Sequence, residues 1–238
     1  MDLSTIKALA FDVFGTVVDW RGTVIRELEQ LGKARGFKAD WAKFADTWRT
    51  KGYLEATAKV RRGELPWMNA DQLHRRMLDE LLTRFGIEGL SEAEKNHLNR
   101  VWHRLKPWSD ATSGMKRMRK AYLLTTLSNG NMALLTNMAK NAGLPWDCVL
   151  SSELVKSYKP DPRVYQMAAD LLGLPANQVM MVAAHKPDLQ GARAVGMKLA
   201  FVPRPKEWGA KKGGDYGNEP WIDVYAIDFR ELAAKLGV

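Results

Sequence analysis

The chain opens on a short apolar run, Ala8-Leu9-Ala10-Phe11, that stops at Asp12 and reaches a turn at Gly15. A continuous apolar run of this length, closed by a glycine, predicts a buried parallel strand. The period then changes to that of a helix. Val24, Leu28 and Leu31 recur at helical spacing until Gly32–Gly36. Residues 39–61 read as one further helix, with Trp41, Phe44, Ala45 and Trp48 on one stripe. Residues 69–85 read as another, placing Leu73, Met77, Leu78, Leu81 and Leu82 on one face ahead of Gly86. Ser91 and Glu94 form a capping box before Leu98, Val101, Trp102 and Leu105, and Pro107 closes that helix.

Beyond Asp110 the two periods alternate. Strands are predicted over 121–127, 148–151, 179–183 and 199–202, and helices over 115–120, 132–142 and 188–195. Asp161-Pro162 opens one more helix, since Asp caps it and Pro fits its first turn. Residues 203–221 form a loop rich in Gly, Pro and Lys, and Asp228 with Glu231 caps a last helix ending at Gly237. Alternating strands and helices predict an α/β fold, a doubly wound parallel sheet with a Rossmann-like core. The helical block suggests an inserted cap domain over 20–106, with the core built from 1–19 and 107–238. The loops after the strands should converge on one site, because ligands bind beyond the carboxyl ends of such a sheet. Asp12 lies there, with the hydroxyl of Thr16 four residues on, a pattern that suits a carboxylate nucleophile. A capping Asp on a strand-to-helix turn explains the same letters.

Composition narrows the classes. In 238 residues, 46% hydrophobic and 26% charged, there is room for one large domain or a core plus a smaller one. No apolar run is long enough to span a membrane. The opening residues do not read as a signal peptide, and the one cysteine, Cys148, excludes an internal disulfide. A small buried residue at a strand start is its plain reading, and a cytoplasmic protein is expected. The net charge of +9 raises the question of a nucleic-acid partner. However, the basic residues are scattered. The densest groups, Lys116–Lys120 and Lys211-Lys212, do not interleave with aromatics, so a solvated basic face is expected and no nucleic acid.

Four motifs carry a resemblance. FDVFGT at Phe11–Thr16, LSNG at Leu127–Gly130, YKPDPRVY at Tyr158–Tyr165 and AAHKPDLQGAR at Ala183–Arg193 resemble, in order, those of the haloacid dehalogenase superfamily, best its type II 2-haloacid dehalogenase branch. The resemblance implies that Asp12 attacks the carbon bearing the halogen, and that water then cleaves the resulting ester. It implies further that Thr16 supports Asp12, that Ser128 holds the substrate carboxylate with nearby backbone N–H groups, and that Asn129 orients its neighbours. Lys159 would neutralise Asp12, and Tyr165 would face the site or pack in the core. Asp188 would pair with Lys159 or orient the water. The cap arginine of the family matches Arg49, with Arg61 and Arg62 as rivals. Homodimers are common among relatives, and the companions of the reaction are a small halogenated carboxylic acid and water.

Three positions separate this chain from other branches. Phe14 stands where related phosphatases carry a second Asp, the acid that protonates a departing alkoxide; a halide leaves without that proton. Ala184 stands where magnesium-dependent relatives carry an acidic ligand, so no metal and no cofactor is expected. His185 replaces the usual Asn, and Ala183 and Ala184 replace serines. His185 is expected to activate the water or donate to the halide, with a structural His as the plain alternative. A small set of dehalogenases, some acting on fluoroacetate, is similar in carrying Ala-His here. Phe14, Trp48, Tyr53, Trp67 and Pro187 are candidate pocket walls. The alternatives kept open are a phosphatase acting on a small phosphate ester and a catalytically silent member that binds a small acid.

Overall fold

The computed structural model describes residues 3–210 and 215–238, so the Lys211-Lys212 pair lies outside the described residues. The first strand, β1 (Ala8–Phe11), ends just before Asp12. A two-residue strand, β2 (Val18–Asp19), leads into α1 (Trp20–Arg35), whose first turn is capped by the Asp19 carboxylate. Next come α2 (Trp41–Thr47), a π-helical segment (Trp48–Glu55) and α3 (Ala56–Arg61). The single helix expected over 39–61 is thus divided. Thr47 and Thr50 donate their hydroxyls to the carbonyls of Lys43 and Asp46, each at 2.7 Å, which competes with the regular helical ladder at this point.

Helices α4 (Ala70–Arg84) and α5 (Glu92–Asn99) both start on capping boxes, Asn69 with Gln72 and Ser91 with Glu94. A 3₁₀ turn (Arg100–Arg104) follows, and β3 (Lys106–Pro107) pairs antiparallel with β2. The chain therefore leaves and re-enters the sheet region side by side. The remainder alternates as α6 (Ala111–Met118), β4 (Leu123–Ser128), α7 (Met132–Ala142), β5 (Cys148–Ser151), α8 (Pro162–Leu172), β6 (Val179–Ala183), α9 (Lys186–Ala194), β7 (Lys198–Phe201), β8 (Val224–Tyr225) and α10 (Phe229–Lys235). Cys148 is only half-buried, because it opens the edge strand β5.

The six strands order as β5-β4-β1-β6-β7-β8, all parallel. From β1 the chain builds outward through β4 and β5, then crosses back to place β6 on the other side of β1. The crevice this reversal opens lies at the carboxyl end of β1, the place where open α/β sheets bind ligands. Alternate residues of β1 feed two cores. Leu9 and Phe11 pack with Met115, Met118 and Phe229 from α6 and α10; Ala8 and Ala10 face Val164, Ala168 and Leu189 from α8 and α9. Among the described residues no helix is long and apolar enough to cross a membrane.

Candidate active site

Asp12 emerges where β1 ends, and its backbone N–H donates to the Val182 carbonyl of β6 at 3.0 Å. Its side chain is 11% exposed and takes three side-chain hydrogen bonds. Thr16 Oγ1 donates to Oδ2 at 2.7 Å and itself accepts from the Ala184 N–H at 2.9 Å, tying the loops after β1 and β6 together. Lys159 Nζ donates to Oδ1 at 3.0 Å, and His185 Nδ1 lies 3.1 Å from Oδ2. Burial alone would push the Asp12 carboxyl up, but Lys159, His185 and Thr16 together hold it well below the usual carboxylate range. Asp12 is therefore ionised and desolvated at neutral pH, which is the state a carboxylate nucleophile needs.

Lys159 is buried between two acids. Besides Asp12, its Nζ donates to Asp188 Oδ2 at 2.5 Å and to the Leu127 carbonyl at 2.8 Å, and Asn129 Oδ1 accepts from its backbone N–H at 2.8 Å. Burial works against its charge, but Asp12 and Asp188 raise its pKa. Burial lifts Asp188 above the ordinary carboxyl value; Lys159 pulls it down and the charge of Asp12 adds to the lift. The Tyr165 hydroxyl donates to Asp188 Oδ1 at 2.7 Å. Its ring can cross α9 because Gly191 stands beneath it; a Cβ there would meet the phenol oxygen at 2.5 Å.

His185 bridges two acids. Its Nε2 lies 2.9 Å from Oε2 of Glu207, a 3%-exposed residue in the loop after β7. Desolvation would lower the imidazole, but hydrogen bonds to Asp12 and Glu207 raise its pKa to about 10, so it is protonated at neutral pH. Glu207 in turn is held below its ordinary value despite burial, chiefly by its hydrogen bond with His185. The Trp20 indole N–H donates to Glu207 Oε1 at 2.9 Å. Gly15, at φ +87°, leaves the space for this carboxylate; a Cβ at Gly15 would lie 2.2 Å from Oε1. The loop is anchored by Arg204, which makes a bidentate pair with buried Asp110 at 2.8 and 2.9 Å and donates to the Thr16 carbonyl at 2.9 Å.

These groups line a cavity of about 230 Å³. Arg49 and Tyr53, side by side on the π-helical segment, close it from the helical side with Leu54. Arg49 is 6% exposed, its guanidinium lies 4.8 Å from the Tyr53 ring centre and 5.2 Å from that of Phe14, and its Nε and Nη1 have no hydrogen-bond partner among the described residues. The Tyr53 hydroxyl likewise has no hydrogen-bond partner among the described residues. Buried donors without acceptors are costly, and their convergence beside a cavity marks a place for an anion. Arg61 and Arg62 are exposed, and Arg62 pairs with Glu64.

Thus Asp12, Phe14, Thr16, Arg49, Asn129, Lys159, Tyr165, His185 and Asp188 come together. Ser128 does not line the cavity; it is fully buried at the end of β4, where its hydroxyl accepts from the Gly130 N–H. Of the expected walls, Phe14, Tyr53 and Pro187 line the cavity. Trp48 turns inward to donate to the His74 carbonyl, and Trp67 packs on Tyr158. Glu207, Trp208 and Leu54 were not anticipated from the sequence. The signal available for the first two was only their position, in the loop after a parallel strand.

Residues 6–196 match the model of the haloacid dehalogenase-like hydrolases. The chain belongs to this family. Within it, the chain is similar to a solved L-2-haloacid dehalogenase at 43% identity, TM-score 0.93, covering 98% of this chain and 99% of that one. A solved defluorinating L-2-haloacid dehalogenase matches at 38% identity, TM-score 0.94, covering 98% and 96%. The (S)-2-haloacid dehalogenase 4A of Burkholderia cepacia is 29% identical over 207 residues, 85% of each chain. The four motifs of this haloacid dehalogenase-like hydrolase fall at the ends of β1, β4 and β6 and in the loop before α8, around one cavity.

Proposed function

We propose that this chain is a hydrolytic dehalogenase of short 2-haloalkanoic acids, releasing halide and a 2-hydroxy acid through an ester on Asp12. The observation that carries the reading is the ionised, buried Asp12 carboxylate facing a small cavity with no acid at Phe14. Its support is the strong likeness to L-2-haloacid dehalogenases. The cavity is smaller than the roughly 300–1,000 Å³ that holds a drug-sized ligand, which suits an acid of two or three carbons.

In this reading the Asp12 carboxylate attacks C2 of the substrate, and the halide departs with the bonding pair. Arg49, with the Tyr53 hydroxyl, supplies donors to the anionic substrate. Phe14, Pro187 and Leu54 keep bulk water from the nucleophile. Water then adds to the ester carbonyl of Asp12, and the 2-hydroxy acid leaves. Residues 20–106 act as the cap, a role supported by Arg49, Tyr53 and Leu54 facing Asp12 across the cavity. A phosphatase fits less well. Phe14 cannot protonate an alkoxide, Ala184 offers no ligand atom, and the ammonium of Lys159 already occupies the space between the two carboxylates.

The test is halide release from chloroacetate, L- and D-2-chloropropionate and fluoroacetate, with and without EDTA, beside a phosphate-release control. Halide release that persists in EDTA and is lost in Asp12→Asn is expected. Metal-dependent phosphate release with no halide would overturn the reading.

A further inference from the structure

The contact of Glu207 with His185 assigns a task to a residue outside the four motifs. Resting on the dehalogenase reading above, we infer that Glu207 is the positioning residue that makes His185 the base for hydrolysis of the Asp12 ester. Three observations carry it. The imidazole spans the space between the two carboxylates, Nδ1 toward Asp12 and Nε2 toward Glu207. Glu207 is itself buried and fixed from behind by the Trp20 indole N–H. The glycine at position 15 keeps clear the space that the Glu207 carboxylate fills.

In the free protein His185 is flanked by two negative charges and carries both ring protons. It cannot then act as a base. Attack by Asp12 consumes one of those charges, because the ester is neutral. The imidazolium, left with Glu207 alone and with Arg49 and Lys159 nearby, gives up one proton to solvent. Glu207 determines which one. A carboxylate accepts only, so it retains the Nε2 proton and leaves the lone pair on Nδ1, the nitrogen beside Asp12. Water adds its oxygen to the ester carbon of Asp12 and passes a proton to Nδ1. The tetrahedral intermediate collapses, the C–O bond to the 2-hydroxy acid breaks, and the departing alkoxide takes the proton from Nδ1. Asp12, now a carboxylic acid, returns its proton to Nδ1 and restores the resting imidazolium. Each turnover yields one halide, one hydroxy acid and the one proton lost to solvent, so the cycle balances.

The experiment compares wild type with Glu207→Gln in rapid-quench turnover of chloroacetate. Halide is counted per protein molecule, and the Asp12 ester is followed by mass spectrometry of the peptide that contains it. The Trp20 indole N–H claims the carbonyl oxygen of the Gln amide, which turns the amide N–H toward Nε2 and favours the proton on Nδ1. The expected result is a burst of about one halide per molecule at the wild-type rate, then steady turnover slowed by about 10²–10⁴-fold with the ester accumulating. Should Glu207→Gln not fold, judged by circular dichroism, Glu207→Met, which removes the acceptor at Nε2, carries the same comparison. Loss of burst and turnover together would overturn the inference, as would unchanged turnover with no ester. Wild type that releases no halide from any haloacid would instead overturn the dehalogenase reading itself.

Discussion

Replacing Lys159 by Met removes one positive charge from between two buried carboxylates and keeps most of the apolar stem. The ammonium lies 3.0 Å from Asp12 Oδ1 and 2.5 Å from Asp188 Oδ2, and the side chain is only 7% exposed. With charge centres about 4 Å apart and an effective dielectric near 20, each attraction is about 4 kcal/mol. The desolvation of the ammonium, recovered in the variant, offsets part of this, and the net cost of breaking such a buried pair is about 3–5 kcal/mol. For a chain of this size each kcal/mol moves Tm by about 2–4 °C, so a fall of about 6–20 °C is expected at pH 8. The deficit should shrink in acid. Asp188 has a raised pKa in the folded protein, caused first by burial. A carboxyl of that kind binds its proton more tightly folded than unfolded, so its contribution improves as pH falls through the folded pKa. Without Lys159 that pKa rises further, and a shared proton takes over part of the ammonium's role. Thermal unfolding followed by circular dichroism at pH 5 and pH 8 measures both effects. A Tm equal to wild type, or a deficit as large at pH 5 as at pH 8, would refute the reasoning.

Two further outcomes are expected. Arg49→Met should lower kcat/KM for a haloacid by about 10–100-fold, the equivalent of a lost charge-assisted hydrogen bond of about 1.5–3 kcal/mol, without lowering Tm, since it removes two buried donors that lack partners; steady-state kinetics beside thermal unfolding decides it, and unchanged kinetics would refute the substrate role. Arg204→Ala should cost about 3–5 kcal/mol by leaving the Asp110 carboxylate buried and unpaired, and should speed amide hydrogen exchange in the 203–209 loop; unaltered exchange there would show that Arg204 does not anchor the loop.

The sheet was legible chiefly through its central strands β1 and β6, which are buried along their whole length and so write plain apolar runs; the expected bounds 148–151 and 179–183 match β5 and β6 to the residue. Asp12 and Thr16 were legible from their place beyond the end of β1, whereas Lys159, Tyr165 and Asp188 were legible only because they fall within the motifs of the resemblance. What the pattern concealed has local causes. Strands β2, β3 and β8 have two residues each, too few for a period to show. The stripe of Trp41, Phe44, Ala45 and Trp48 keeps α-helical spacing up to the point where the π-helical segment begins, so nothing in it announces the change. Glu207 sits in a loop without periodicity, and its partners Trp20 and His185 lie 187 and 22 residues away in the chain. Ser128 illustrates the reverse case, in which the motif is present and the side chain is turned to its own backbone.

The π-helical segment has a consequence for how this pocket can change over evolutionary time. A π-helical turn holds about one residue more than an α-helical turn, so a residue can be gained or lost within it while the helices on either side keep their course. Loss of one residue between Arg49 and Tyr53 would return this stretch to α-helical winding and change which side chains stand beside Arg49 at the cavity. Size and polarity of the substrate chamber can thus be reset by a change in chain length alone, with every catalytic group around Asp12 left in place.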